Sequence, residues 1–243
     1  MDTGTVVLVA IAVAAGGLVQ GLSGLGFALV SAPVISQVVP GTSGIGLVNA
    51  LSIVQNLWLI GRTDGRLAWR EIRRMLPGLA IGVALGWLVL QVSSPALFDV
   101  IVAVSACGSV AWLLLAGRFT GPAAGIVSGV WGGTVNTVSG VGGPPIAAYL
   151  VTRGLDPASY VRTLQVVFAV LSLVSLPLLG VYVPSIGAVI VWVLALTAGS
   201  VAGELTRHRV SAATAQRIAR AAIVTVCVAA LVRSLVLLPG HLA

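Results

Sequence analysis

The sequence predicts an all-α integral membrane protein made of two inverted-topology repeats, each a broken, re-entrant helical hairpin followed by three transmembrane helices. Three observations carry that expectation. Of 243 residues, 58% are hydrophobic and only 8% charged, against about 25% charged in ordinary soluble domains. A glycine-rich segment recurs once, at a spacing of 116 residues. The arginines crowd one loop of the first half and a different, non-equivalent loop of the second.

Apolar stretches lie at about 5–38, 45–61, 76–91 and 97–116, and again at about 121–151, 160–180, 185–206 and 213–238. Most reach the ~20 helical residues that cross a hydrocarbon core of roughly 30 Å. They leave no water-soluble domain. The opening MDTGTVVLVAIAVAAGG has an acid where a signal peptide carries basic residues, so it reads as the first membrane element. Cys107 and Cys227 sit in separate apolar stretches without CxxC or Cys/His spacing, His208 lies among arginines and His241 at the C-terminus. No metal and no cofactor is therefore expected. The net charge of +7 comes wholly from arginine, for there is no lysine. Arginines flanking apolar stretches orient a protein in the lipid bilayer. Nucleic-acid binding would need an exposed basic domain, and none is expected as a partner. The six tryptophans near segment ends read as packing or interfacial anchors.

The repeat aligns GGLVQGLSGLG, residues 16–26, with GGTVNTVSGVG, residues 132–142, identical at six of eleven positions. Gln20 falls opposite Asn136, and the same offset sets Asn49 opposite Gln165, amide on amide both times. GVALG, from Gly82 to Gly86, matches GSVAG, from Gly199 to Gly203, at a spacing of 117. Each half thus carries a GxxxG face for close helix contact, within one chain or between the chains of a homodimer. The expected organisation is a first membrane repeat over 1–116 and a second over 117–243, forming one transmembrane domain.

Charge placement orients the halves. The loop GRTDGRLAWREIRR holds Arg62, Arg66, Arg70, Arg73 and Arg74, while its counterpart GVYVP from Gly180 is uncharged. The next pair reverses: QVSSPA from Gln91 is uncharged, and TRHRVSAATAQRIAR carries Arg207, Arg209, Arg217 and Arg220. Equivalent loops are then on opposite sides of the membrane, which requires an odd number of crossings per half. Three later stretches per half supply three, so the first stretch of each must enter and return. Arg118 and Arg153 flank the 31 residues from 121 to 151 and both favour the cytoplasm. Arms of about 14 residues, or roughly 20 Å, are expected, with SGVGGPP at the turn. Eight spans plus two re-entrant hairpins, or ten short crossings, satisfy the parity equally. Arg233 must snorkel or find a partner near the outer end of the last stretch.

Irregular backbone at membrane depth survives only where protein or a water-filled cavity satisfies it. Two such breaks in inverted halves are the arrangement that sets a midplane substrate site in secondary transporters. Candidate binding residues are Gln20, Ser23, Gly24 and Gly26 in the first turn, and Asn136, Thr137, Ser139, Gly140, Gly142, Gly143 and Pro144 in the second. Asn49 and Gln165 join them because buried amides need partners. Gln55, Asn56 and Thr134 are weaker candidates. The serines serve equally to cap or back-bond their own helices. Arg162, a turn and a half into a helix opened by Asp156 and Pro157, either snorkels or meets an anion at the entrance. No acid sits at mid-stretch: Asp2, Asp64, Glu71 and Asp156 are terminal or in loops, and Asp99 and Glu204 lie near stretch ends.

The paired SGLG and SGVGGPP turns, each opening a four-segment half, resemble those of the sulfite exporter TauE/SafE family over essentially the whole chain. The resemblance implies a small anion transporter of the bacterial cytoplasmic (inner) membrane, not an enzyme, moving sulfite, sulfoacetate or a related organosulfonate outward. Family turns carry paired or triple glycines. The second turn here fits, with Gly140, Gly142, Gly143, Pro144 and Pro145, while the first departs, reading Gly24, Gly26, Phe27, Ala28, with Phe27 making it bulkier. An importer or channel for another solute, and an assembly subunit that transports nothing, are the alternatives.

Overall fold

A computed structural model describes residues 2–39, 41–93, 100, 101, 104, 105, 108, 121 and 123–207. The stretch 213–238 and most of 97–116, with Asp99, Cys107, Arg118, His208, Arg209, Arg217, Arg220, Cys227, Arg233 and His241, lie outside those residues. The described chain is helical: α1 (Thr3–Ser23), α2 (Phe27–Val38), α3 (Thr42–Gly61), α4 (Trp69–Val92), α5 (Ala124–Ser139), α6 (Gly143–Val151), α7 (Pro157–Leu179) and α8 (Ile186–Arg207). Five of them, α1, α3, α4, α7 and α8, are long and apolar enough to cross a membrane.

Both first stretches break where expected. Ser23 and Ser139 end the descending arms, and Phe27 and Gly143 begin the returning ones, each pair 116 residues apart. Gly24 and Gly140 adopt the left-handed conformation, with φ of 77° and 75°. Each donates its N–H to the carbonyl four residues back, on Gln20 and Asn136, at 2.7 Å. This is the αL helix stop, which an L side chain would strain. The arms are unequal, unlike the expected ones of similar length: α1 has 21 residues and α2 12, α5 has 16 and α6 9. The descending arms run long because each has a glycine-faced helix to pack along.

That packing crosses between the halves. A Cβ on Gly21 of α1 would lie 2.6 Å from the Ser200 carbonyl of α8, and one on Gly199 would lie 2.1 Å from the Ala14 carbonyl. In the same way a Cβ on Gly82 of α4 would meet the Val130 carbonyl of α5 at 2.2 Å, and one on Gly133 the Leu79 carbonyl at 2.7 Å. Both pairs run parallel, backbone on backbone, so the GxxxG faces are occupied within this chain. Between them α3 and α7 run antiparallel. A Cβ on Gly46, early in α3, would lie 1.6 Å from the carbonyl of Gly180, just past α7. A Cβ on Gly65, just past α3, would lie 2.2 Å from the carbonyl carbon of Ala158 at the start of α7.

The arginine-rich segment departs from the loop reading. Helix α4 starts at Trp69 and takes in Arg70, Glu71, Arg73 and Arg74, because Arg and Glu form helix readily although they depress hydropathy. Glu71 is buried, 8% exposed. It accepts hydrogen bonds from the Tyr149 hydroxyl and from Arg74 Nη1, the latter at 3.0 Å. The Arg153 guanidinium lies 4.5 Å from the Tyr149 ring centre, a cation–π contact that closes the cluster. A buried carboxylate persists only with partners of this kind. Glu71→Ala is expected to leave the Tyr149 hydroxyl unpaired at a cost of about 1–3 kcal/mol. The melting temperature of purified protein should fall well below that of the exposed-site variant Arg73→Ala; equal melting would contradict the cluster's role.

Candidate functional site

Helical periodicity places Asn49, Ser52 and Asn56 on one face of α3 and Gln165, Phe168, Ser172 and Ser175 on one face of α7. The two hairpin turns meet these faces at different levels. At the first turn, Gln20 Nε2 donates to Asn56 Oδ1 at 3.1 Å and to Gln165 Oε1 at 3.0 Å. Gln20 Oε1 accepts the Phe27 N–H at 2.9 Å, and Gln165 Nε2 donates to the Gly24 carbonyl at 2.7 Å. At the second turn, Asn136 Nδ2 donates to Asn49 Oδ1 at 2.9 Å and to Ser175 Oγ at 3.3 Å, and Asn49 Nδ2 donates to the Ile45 carbonyl at 3.0 Å. The four amides thus bond as Gln20 to Gln165 and Asn136 to Asn49, not to the positions expected to be their equivalents. All four are at least nine-tenths buried, so each bond also spares a desolvated polar group.

A chamber of about 30 Å³ lies between the two amide clusters. The first turn contributes Gln20, Leu25 and Gly26 to its wall, and the second contributes Asn136, Gly140, Gly143 and Pro144. Ser52 and Asn56 of α3 and Phe168 and Ser172 of α7 also line it, with no charged side chain among the described lining. At that size it has room for a few water molecules. A larger vestibule of about 470 Å³ opens at the arginine-bearing end of the bundle, walled by Arg62, Asp64, Glu204 and Arg207 and floored by Gln20 and Gly24. Glu204 there accepts from Arg62 Nε at 2.8 Å and from the Trp58 indole at 3.0 Å.

The two turns differ in their donors. Gln20 satisfies the Phe27 N–H. At the position 116 residues on, the Gly143 N–H meets no acceptor among the described residues, nor do those of Val141 and Gly142. Asn136 is one methylene shorter than Gln20, and its amide nitrogen is turned to Asn49 and Ser175. Pro144 and Pro145 carry no N–H, so the start of α6 presents its remaining donors with the positive end of a helix dipole.

The other expected residues lie around this centre. Ser23, Thr137 and Ser139 direct their hydroxyls to the Val19, Gly133 and Val135 carbonyls, the back-bonding that small hydroxyls favour in helices. Thr137 also meets Ser175 Oγ at 3.3 Å. Gly142 faces its own hairpin, where a Cβ would lie 2.3 Å from the Gly132 carbonyl. Phe27 does not crowd the chamber: its ring packs toward Gly16 in the core, 1% exposed. Arg162 borders neither space, and its Nη1 donates to the Gly65 carbonyl at 3.0 Å. Gln55 turns to α8, accepting from Ser200 Oγ at 2.6 Å. Sequence reasoning does not single out Ser52 and Ser172, and it ranks Asn56 low. Their signal is the face they share with Asn49 and Gln165, and the spacing of 116 between Asn56 and Ser172. Among the described residues no group of three or more His, Cys, Asp or Glu could hold a metal ion.

Broken hairpins held by glycine-faced helices around a buried polar chamber, in a chain with five membrane-length helices, define an α-helical, multi-pass membrane transport protein. The family described as sulfite exporter TauE/SafE matches residues 8–233, and the chain belongs to it. Comparison with curated proteins and with solved structures finds no match.

Proposed function

We propose that this protein is a secondary transporter that exports a small sulfur-containing oxyanion, such as sulfite, sulfoacetate or a related organosulfonate, across the cytoplasmic (bacterial inner) membrane. The observation that carries this reading is the chamber between the two turns, where unpartnered N–H groups at the start of α6 adjoin amides and hydroxyls. In this reading Gln20, Gly26, Asn136, Gly140, Gly143 and Pro144 contact the anion, while Asn49 and Gln165 position the two contacting amides. Ser23, Gly24, Thr137, Ser139 and Gly142 shape the turns, and Arg162 shapes the entrance loop. The antiparallel run of α3 and α7 supports inverted repeats. The vestibule, at the arginine-bearing end of the bundle, then faces the cytoplasm.

Direction follows from charge. With the interior negative, each negative charge leaving the cell gains about 2.3 kcal/mol per 100 mV, so outward flow needs no coupling ion. That suits a chamber whose described lining has no carboxylate. A chamber of about 30 Å³ leaves little room for a sulfonate, so in this reading the turns part to admit it. Purified protein in liposomes loaded with sulfite, sulfoacetate or sulfate is the test. Saturable efflux of a sulfur anion, faster with a negative interior and slowed by Gly143→Ala, which sets a methyl beside Leu25 and Phe168, is expected. Folded protein that passes none of these anions would overturn the reading.

A further inference from the structure

Among the described residues Gln20 alone borders both the vestibule and the chamber. Its side chain is 4% exposed, and its two nearest amide partners, Asn56 and Gln165, are 1% and 0% exposed. Its two amide bonds tie it to two different helices, one to α3 and one to α7. Its oxygen holds the first residue of α2 through the Phe27 N–H, and Gln165 holds the carbonyl of Gly24. The side chain and the turn therefore form one fastened unit.

We propose that this unit is the vestibule-side gate of the chamber, with Gln20 as its bar and Gln165 and Asn56 as its catches. The proposal rests on reading the chamber as the transport site. Bonds between neutral amides contribute modestly in net terms where water, here entering from the vestibule, replaces the lost partner. An anion reaching the vestibule floor offers charged acceptors that bind N–H groups more strongly than an amide carbonyl does. Its oxygens can take the two Gln20 N–H groups from Asn56 and Gln165, and release of these catches opens the chamber to the anion that released them. The Asn136 cluster closes the opposite side of the same chamber. Along α3, Asn56 stands at the Gln20 level, Ser52 at the chamber and Asn49 at the Asn136 level. The seven residue steps from Asn49 to Asn56 measure about 10 Å of helix, so the chamber lies between two separate amide clusters, one above and one below.

The gate is tested by access, without reference to transport. In a background of Cys107→Ser and Cys227→Ser, Ser172→Cys sets a thiol on the chamber wall. A membrane-impermeant maleimide is applied from the vestibule side of oriented vesicles. Labelling should be slow in this background and about tenfold faster with Gln20→Ala, the change expected on losing a pair of modest hydrogen bonds. Gln165→Ala, which keeps the bar but removes a catch, should also accelerate it, and gives a second route if Gln20→Ala does not fold. Asn136→Ala should leave labelling from this side slow. Labelling indifferent to both Gln20 and Gln165, or accelerated equally by Asn136→Ala, would overturn the gate. A protein that labels as expected but carries no anion would sink the transport reading and leave the gate standing, whereas transport with labelling indifferent to Gln20 would do the reverse.

Discussion

Gly82→Val is expected to abolish recovery of monodisperse protein, or to lower its melting temperature further than either Glu71→Ala or Asn136→Ala does. A Cβ at this position would stand 2.2 Å from the Val130 carbonyl and 2.9 Å from the Thr134 amide nitrogen, both backbone atoms of α5. No rotamer of a neighbour can relieve that overlap, so α4 and α5 must separate along their length. Overpacking costs typically 1–3 kcal/mol when side chains can adjust, and more when backbone must move. Separation also removes the close contacts that hold helices together in lipid, where no hydrophobic force substitutes for them. Gly187→Val is the control, since nothing lies within 4 Å of a Cβ at that position. Equal melting of the two variants would mean that the α4/α5 crossing is not as described.

The second large effect separates stability from transport at Asn136. Asn136→Ala is expected to damage both, because it strands the buried Asn49 Oδ1, whose donor is Asn136 Nδ2 at 2.9 Å. An unsatisfied buried polar atom costs about 1–3 kcal/mol. Asn136→Gln should behave differently. With the added methylene its carbonyl can reach the Gly143 N–H as Gln20 reaches the Phe27 N–H, turning the second turn into a copy of the first. The variant should melt nearer the native protein than Asn136→Ala does and yet lose most anion efflux, since the free donor is now occupied. Native efflux from a stable Asn136→Gln protein would show that the Gly143 N–H has no part in transport.

Much of this architecture is legible in the sequence. The offset of 116 locates both turns and draws attention to four amides. It cannot say which amide bonds which, because an offset relates equivalent positions, whereas Gln20 pairs with Gln165 only through the antiparallel approach of α3 and α7. Ser52 and Ser172 are hidden by their type, since a serine within an apolar helix ordinarily bonds its own backbone. Glu71 is hidden by its arginine neighbours, which give α4 the look of a loop, and its partner Tyr149 lies 78 residues away. Gly142 is visible as a glycine, but only the folded hairpin reveals that its missing side chain admits the Gly132 carbonyl.

The reciprocal glycine contacts also bear on how such a chain can be divided. The first helix of each half is gripped by the fourth described helix of the other, so a half expressed alone leaves two backbone-close faces bare. A half-length chain would satisfy those faces only by pairing with a second copy. The helices that grip each other come from opposite halves of the sequence: α1 packs on α8, and α4 on α5.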